Sequence, residues 1–372
     1  MNILSVGGKY KPYNGGNAKR ISMMCEEFAK INHNVIVMTV SIDKTLTKKE
    51  VINNVTILRY STFKVLCSDV EKCAKEYMID VILVHEEAYL RKISSLAKKY
   101  SIVYECHAIE PDTNKIKEFA KRFLRRQLFN SVCDAIFVLS NKAKKQICEQ
   151  YGISSQKIFF TPNGLEKDCY KGKDYSFGEK EKFVYGYAGT LYAFQGVHIL
   201  LEYCQQILSI ADDVEIRIVG GGPMEQQVRN YIKENSLSKR IIFIGEVNQE
   251  EFDKQVSEFD VLLMPRPSTQ STESAIPLKI FDAAKHKKPV VMSNVSGLTE
   301  AFSEEAALIY DTQNPAEFVL CCKKIYRNYE LAKCLVKGEE KALEAWPTVK
   351  MVAERQVNVM HQICEKKGVA NY

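Results

Sequence analysis

The sequence predicts an α/β protein of two successive parallel-sheet domains that face each other across a cleft. Three observations carry that expectation. Short apolar runs alternate with amphipathic helical segments, the pattern of parallel sheets covered on both faces. The alternation stops at a polar, non-periodic stretch, residues 165–182 (LEKDCYKGKDYSFGEKEK), and then begins again. A length of 372 residues exceeds what one ordinary core supports and suits two domains.

The first domain is assigned to residues 1–164. Strands are predicted over 2–6, 34–40, a region within 51–60, 81–84, 102–105, 135–139 and 157–161. Amphipathic helices fall near 17–31, 89–99, 114–130 and from 141 to about 151. Pro162-Asn163-Gly164 closes the domain with a turn signal. Residues 165–182 form the predicted linker. The second domain, 183–345, has strands at 183–188, 214–219, 241–244, 260–264 and 290–292, the last clear one. Its helices fall near 195–208 and 224–234. The tail, 346–372, holds the single tryptophan, Trp346, and a helix predicted over 349–366. In sheets of this kind, ligands bind beyond the carboxyl ends of the strands.

Composition narrows the class. Apolar residues make up 46% and charged residues 26%, the balance of a soluble globular protein. No apolar run approaches the roughly 18 residues of a membrane span. The N-terminus lacks the charged-then-apolar order of a signal peptide. Twelve cysteines are scattered without a Cys-x-x-Cys pair or a Cys/His cluster of zinc spacing. That points to a reducing cytosol and no structural metal.

The net charge of +6 is uneven: residues 1–180 sum to +10 and residues 181–372 to −4. The densest basic segment is NKIKEFAKRFLRRQLFN, residues 114–130. Lys115, Lys117, Lys121, Arg122, Arg125 and Arg126 carry its charge. Ile116, Phe119, Phe123, Leu124 and Leu128 recur at helical spacing. Such a helix suits an anionic membrane surface, or packs its apolar stripe into its own domain. No nucleic-acid motif accompanies the charge.

Three segments suggest chemistry. Gly15-Gly16 lies between the first strand and its helix, where glycine lets backbone N–H groups approach a ligand. The spacing is not Gly-x-Gly-x-x-Gly, and no acidic residue closes the second strand, so a dehydrogenase-type dinucleotide site is poorly supported. His107 follows a strand at its carboxyl end. Residues 264–292, MPRPSTQSTESAIPLKIFDAAKHKKPVVM, set Arg266, Glu273, Lys279 and Asp282 around a helix start at Pro277-Leu278. A helix start of this kind attracts phosphate. Lys279 adds a point charge, and Asp282 adds an acceptor pair one turn in.

The 264–292 stretch resembles the donor-binding signature of the retaining two-domain (GT-B) glycosyltransferases of the group 1, family 4 type. Further elements match that family in order. They are the Gly15-Gly16 loop, the strand ending at His107, Pro162-Asn163-Gly164, Gly189-Thr190-Leu191 with Gln195-Gly196-Val197, Val219-Gly220-Gly221-Gly222-Pro223, and Gly245-Glu246-Val247. Together they span most of the chain.

The resemblance implies a fold and a set of roles. The first domain is the acceptor side, and the second binds a nucleotide-diphosphate sugar. The terminal helix crosses back to the first domain. His107 and Glu273 attend the transferred sugar, while Gly16, Gly189 and Leu278 contribute backbone near the diphosphate. Arg266 and Lys279 neutralise it. Glu246 and Val247 contact the base by backbone, and Asp282 holds the ribose in place of the family's usual Glu. Thr190 and Gln195 stand where many members carry Arg and Lys, so two positive charges are absent. The implied reaction is sugar transfer with retention to a hydroxyl acceptor, by a front-face route with no metal or other cofactor. The acceptor is expected to be a lipid-linked or growing glycan at the cytoplasmic face of a membrane, and nucleic acid is not an expected partner. A GT-B epimerase or phosphorylase is the enzymatic rival. An inactive relative that binds nucleotide sugar or a partner transferase is the other.

Overall fold

The computed structural model describes residues 1–368 apart from 14, 42, 44, 110–113 and 167–180. Residues 167–180 include most of the predicted linker, which therefore lies outside the described residues. The chain divides into two compact units. One comprises Met1–Gly164 with Pro347–Tyr372, and the other Leu165–Trp346.

The first unit runs β1 (Asn2–Val6), α1 (Gly16–Lys30), β2 (Asn34–Val40), β3 (Lys49–Ile52), β4 (Val55–Tyr60), α2 (Phe63–Glu76), β5 (Val81–Val84), α3 (Glu87–Lys92), β6 (Ser101–Cys106), α4 (Lys115–Ser131), β7 (Ala135–Val138), α5 (Asn141–Tyr151) and β8 (Ile158–Phe160). Its sheet has the order β3-β4-β2-β1-β5-β6-β7-β8 and is parallel except for β3. Alternate residues of each strand enter opposite cores, as the period of two requires. Leu4, Ile36, Ile82 and Ile102 face one core with Leu66, Leu90, Phe129 and Ile147. Ile3, Val35, Val81 and Val103 face the other with Ile21, Phe28, Val352 and Met360.

The second unit runs β9 (Phe183–Ala188), α6 (Val197–Leu208), β10 (Val214–Val219), α7 (Glu225–Glu234), β11 (Ile241–Gly245), α8 (Gln249–Ser257), β12 (Val261–Met264), α9 (Gln270–Ser274), α10 (Lys279–Lys285), β13 (Val290–Ser293), α11 (Ser296–Thr299), β14 (Ala307–Tyr310), α12 (Glu317–Ile325) and α13 (Tyr329–Glu344). Its sheet, β11-β10-β9-β12-β13-β14, is parallel throughout. The chain then returns to the first unit as α14 (Val349–Lys367), which packs on α1, β6 and β7.

Four sequence expectations need correction. The 51–60 region is a hairpin, β3 and β4, because Asn53 and Asn54 both take positive φ (49° and 65°), the geometry of a tight two-residue hairpin turn. The strand at 290–292 is not the last: Ala307–Tyr310 adds β14 at the sheet edge. The helix expected from 195 starts at Val197, after a short 3-10 turn over Ala193–Gln195 and Gly196 at φ 83°. The helix expected over 89–99 is split into α3 and a 3-10 segment, Ser94–Lys98.

Candidate functional site

In the second unit, the carboxyl ends of β9 and β12 and the start of α10 bring several predicted residues together. Lys279 opens α10, a helix of seven residues whose N-cap is Leu278. Its side chain turns inward and is 8% exposed. The ammonium lies 4.6 Å from the centre of the Tyr187 ring and has no hydrogen-bond partner. A Cβ built on Gly189 would stand 3.7 Å from Lys279 Nζ, an ordinary contact, so what favours glycine beside the ammonium is its φ of 138°. Burial, then the nearby Arg266 charge, push the Lys279 pKa down to about 7, against a smaller opposing pull from Asp282.

Arg266 follows β12 and is also buried. Its Nη1 donates to the Ala275 carbonyl at 3.2 Å, while Nε has no partner. Burial lowers its pKa to about 10. Two cations therefore share a desolvated environment with unused donors. Such an arrangement is costly without an anion.

Tyr187 is the organiser that sequence reasoning missed. Its hydroxyl donates to the carbonyls of Thr190 (3.2 Å) and Gln195 (3.4 Å), which ties down the loop between β9 and α6. The Gln195 side-chain oxygen is buried without a partner. Gly196 cannot carry a side chain, because a Cβ there would lie 1.7 Å from the Pro265 carbonyl oxygen. The backbone before α6 is thus seated directly on the end of β12, next to Arg266. Glu246 lies beyond β11, with its Cβ 3.0 Å from the Cβ position of Gly221. Val247 packs at the edge of the core, and Asp282 is half-buried on α10.

Glu273 has partners of its own. Its Oε1 accepts from Ser268 Oγ at 2.7 Å, and its Oε2 accepts from the backbone N–H of Ser296 at 2.9 Å. It links α9 to the start of α11, a structural duty that the motif alone did not reveal.

In the first unit, Gly15 has φ 125° and Gly16 opens α1. A Cβ at Gly16 would meet nothing within 4 Å, so the space at this helix start is open. His107 is buried just past β6. Its Nε2 lies 3.2 Å from His85 Nδ1 and 3.6 Å from Glu105 Oε2, and its Nδ1 has no partner. Burial, reinforced by His85 and Arg20 against the pull of Glu105, lowers its pKa to about 3, so the ring is neutral.

Behind His107 stands a buried network absent from the sequence reading. Arg20 Nη2 meets Glu105 Oε1 at 2.7 Å, and Arg20 also donates to the Thr161 and Pro162 carbonyls and to Asn163 Oδ1. Ser5 Oγ lies 2.8 Å from His85 Nε2. The parallel register of β5 and β6, with Val84 opposite Tyr104, brings His85 beside Glu105. A carboxylate inside the fully buried strand SIVYEC was the available signal, since such a charge must be paired. Arg20 on the buried face of α1 was its counterpart.

His85, Glu105 and His107 each offer a ligand atom within 4.8 Å of the others, a spacing compatible with a metal ion. The Arg20 guanidinium already compensates the Glu105 carboxylate, whose pKa is held well below the usual range despite burial. A dication here would add two charges to a neutralised pair, so the donor set does not favour one.

Comparison with known proteins agrees with this architecture. A model described as Glycosyltransferase Family 4 matches residues 14–168, and one described as Glycosyl transferases group 1 matches residues 182–328. The phosphatidylinositol N-acetylglucosaminyltransferase GPI3 subunit of Saccharomyces cerevisiae is 20% identical over 344 residues, covering 87% of this chain and 75% of its own. An uncharacterised glycosyltransferase of Methanocaldococcus jannaschii is 23% identical, covering 99% of this chain and 100% of its own. Among solved structures, sucrose-phosphate synthase from Thermosynechococcus elongatus superposes with a TM-score of 0.79 at 14% identity, over 98% of this chain and 100% of that one. HepE of Anabaena, in complex with UDP and glucose, gives 0.76 at 16% identity, over 97% and 100%. The two sheets have the GT-B fold, and the chain belongs to the group 1, family 4 glycosyltransferases.

Proposed function

We propose that this chain transfers a sugar from a nucleotide-diphosphate donor to a hydroxyl acceptor with retention at the anomeric carbon, in the synthesis of a glycan or glycolipid. One observation carries the donor assignment: Lys279 and Arg266 lie buried together, and Lys279 Nζ and Arg266 Nε lack hydrogen-bond partners. A diphosphate supplies the missing acceptors and the missing charge. As the leaving group develops charge, these pre-placed donors stabilise it without reorganising. Asp282 accepts from the ribose hydroxyls, and the backbone at Glu246 and Val247 meets the base. Gly16, Gly189 and Leu278 add backbone contacts.

His107 attends the transferred sugar as a neutral ring whose Nδ1 is unused. Glu273 lies by the sugar while capping α11. No metal is required in this reading, because Lys279 and Arg266 take its electrostatic role. The yeast relative is named as a phosphatidylinositol N-acetylglucosaminyltransferase subunit, which supports a lipid-linked acceptor. We place the reaction at the cytoplasmic face of a membrane.

Calorimetry with UDP, GDP and ADP, without added metal, tests the donor site. One nucleotide should bind wild type and bind Asp282→Ala more weakly. Absence of binding by folded protein removes the donor assignment. A second reading, an inactive relative that still binds nucleotide sugar, is favoured by Thr190 and by the unpartnered Gln195 oxygen. Glu273→Gln separates the two readings: an enzyme loses turnover while retaining nucleotide binding, whereas an inactive relative has no turnover in wild type.

A further inference from the structure

We propose that the outward face of α4 docks this chain on an anionic lipid surface, with its aromatic side chains entering the headgroup region. The helix has two distinct apolar faces. On the inward face, Leu128 and Phe129 are buried in the first unit's core, and Leu124 packs against it. Phe129 stacks on Tyr104, with ring centres 5.4 Å apart. Arg125 is buried on the same face. It donates to Glu87 at 2.5 Å and to the Tyr151 hydroxyl at 3.1 Å. The helix is thereby held firmly to its own unit and does not need a further partner to stay folded.

The outward face carries Ile116, Phe119 and Phe123, which are 82%, 76% and 60% exposed. Their spacing of three and seven residues sets them within about 60° of arc, opposite Arg125. Arg126 and Arg122 flank this stripe on one side, about 20° and 60° round the helix from Phe119, and Lys117 lies farther round on the other, about 100° from Ile116. Arg122 is paired with Glu118 at 3.1 Å but remains half-exposed. An exposed ridge of Ile116, Phe119 and Phe123 with Arg122 and Arg126 along one flank and Lys117 beyond the other matches a bilayer interface, where the apolar side chains enter the acyl boundary and the cations meet lipid phosphates. A protein groove would have to supply acidic walls on both sides of an apolar floor, whereas an anionic membrane presents that chemistry everywhere. No helix among the described residues is long and apolar enough to cross a membrane. The helix follows His107 by eight residues in the chain.

The docking idea stands apart from the donor assignment. The test uses the full chain and vesicles of phosphatidylcholine, with or without phosphatidylglycerol. Wild type should sediment with the anionic vesicles, less so as salt rises, and not with the neutral ones. Phe119→Ser with Phe123→Ser should weaken this partition roughly tenfold or more, and so should Lys117→Glu with Arg126→Glu. Nucleotide calorimetry on the double serine variant shows whether the protein remains folded and competent, and it should be unchanged. Phe123→Trp adds a reporter on the ridge. Its emission, after subtraction of the wild-type Trp346 signal, should shift to the blue on anionic vesicles. Equal sedimentation of wild type and the double serine variant overturns the proposal, as does a reporter emission that vesicles leave unchanged. Concentration-dependent dimerisation that the serine pair abolishes also overturns it, because a second copy would then cover the ridge. Vesicle binding that persists undiminished in Lys279→Met, where nucleotide binding is weakened, separates docking from the donor site.

Discussion

Nucleotide binding should take up a proton, and Lys279 should be its destination. In the empty protein the Lys279 pKa is about 7, because burial and Arg266 oppose its charge. A bound diphosphate reverses that balance and returns the ammonium to its charged form. Affinity is then highest below pH 7 and falls as pH rises, by a factor of 1 + 10^(pH − 7). At pH 8 the loss is about elevenfold, roughly 1.4 kcal/mol, and at pH 9 about a hundredfold. The decline ends where pH passes the pKa in the complex. Calorimetry with the cognate nucleoside diphosphate at pH 8, in two buffers of different protonation enthalpy, should report about 0.9 proton taken up, since the nucleotide's terminal phosphate is already ionised there. Lys279→Met should abolish the uptake. A flat affinity between pH 6.5 and 9, with no proton uptake, would falsify the assignment of Lys279 to the diphosphate. Stability is linked to the same shift. The folded pKa lies below the unfolded value of 10.5, so the unfolded chain binds more protons between pH 7 and 10.5, and the empty protein gains stability as pH rises through that window. Lys279→Met should therefore stabilise the empty protein at pH 7, with roughly 5 kcal/mol as the upper bound.

Glu339 on α13 is fully buried, and neither carboxylate oxygen has a hydrogen-bond partner. Burial first, and Glu340 second, raise its pKa well above the ordinary value, so its presence costs stability increasingly as pH rises above the unfolded carboxyl pKa. Glu339→Leu should raise the unfolding free energy by about 1–3 kcal/mol at pH 8 and by less at pH 5, and urea melts at both values check it. In Gly196→Ala, a methyl group would have to occupy the position of the Pro265 carbonyl at a positive φ. A loss of about 2–4 kcal/mol, with failed nucleotide binding, is expected, and a variant with unaltered melting contradicts the seating of that loop on β12. Glu105→Gln leaves the Arg20 charge buried without its partner and should cost about 3–5 kcal/mol by chemical denaturation. A variant that unfolds at the wild-type denaturant concentration contradicts that pairing.

Most strands were legible because a parallel sheet covered on both faces demands continuous apolar runs, and VILV, AIFV and VLLM supply them. β14 escaped because its four residues, ALIY, follow Ala306 and two glutamates without a break that marks a strand start. The β3–β4 turn escaped because Asn-Asn is a weaker turn signal than Asn-Gly, although asparagine tolerates the left-handed region. The donor residues were visible as a motif, but their electrostatics were not. Nothing in the one-dimensional spacing showed that Lys279 would fold back over Tyr187, or that Glu273 would already hold Ser268 and Ser296. The Arg20–Glu105–His85 network joins residues 85 positions apart in the chain and needed the sheet order to appear. On α4, Leu124 and Leu128 were grouped with Ile116, Phe119 and Phe123, since a spacing tolerance of one residue hides the angle that separates the two faces.

The return of α14 to the first unit has a consequence for biosynthesis. Gln356 donates to Glu105 Oε1 at 3.0 Å and to Thr161 Oγ1 at 3.1 Å, while Val352, Val357 and Met360 complete the core beneath α1. The first unit to leave the ribosome therefore waits for α14 before its own charge network is sealed, whereas the second unit is complete once α13 has been made. A stop codon within α14 strikes the oldest part of the nascent protein. Truncation there leaves the first unit's core open while every element of the second unit has already been made.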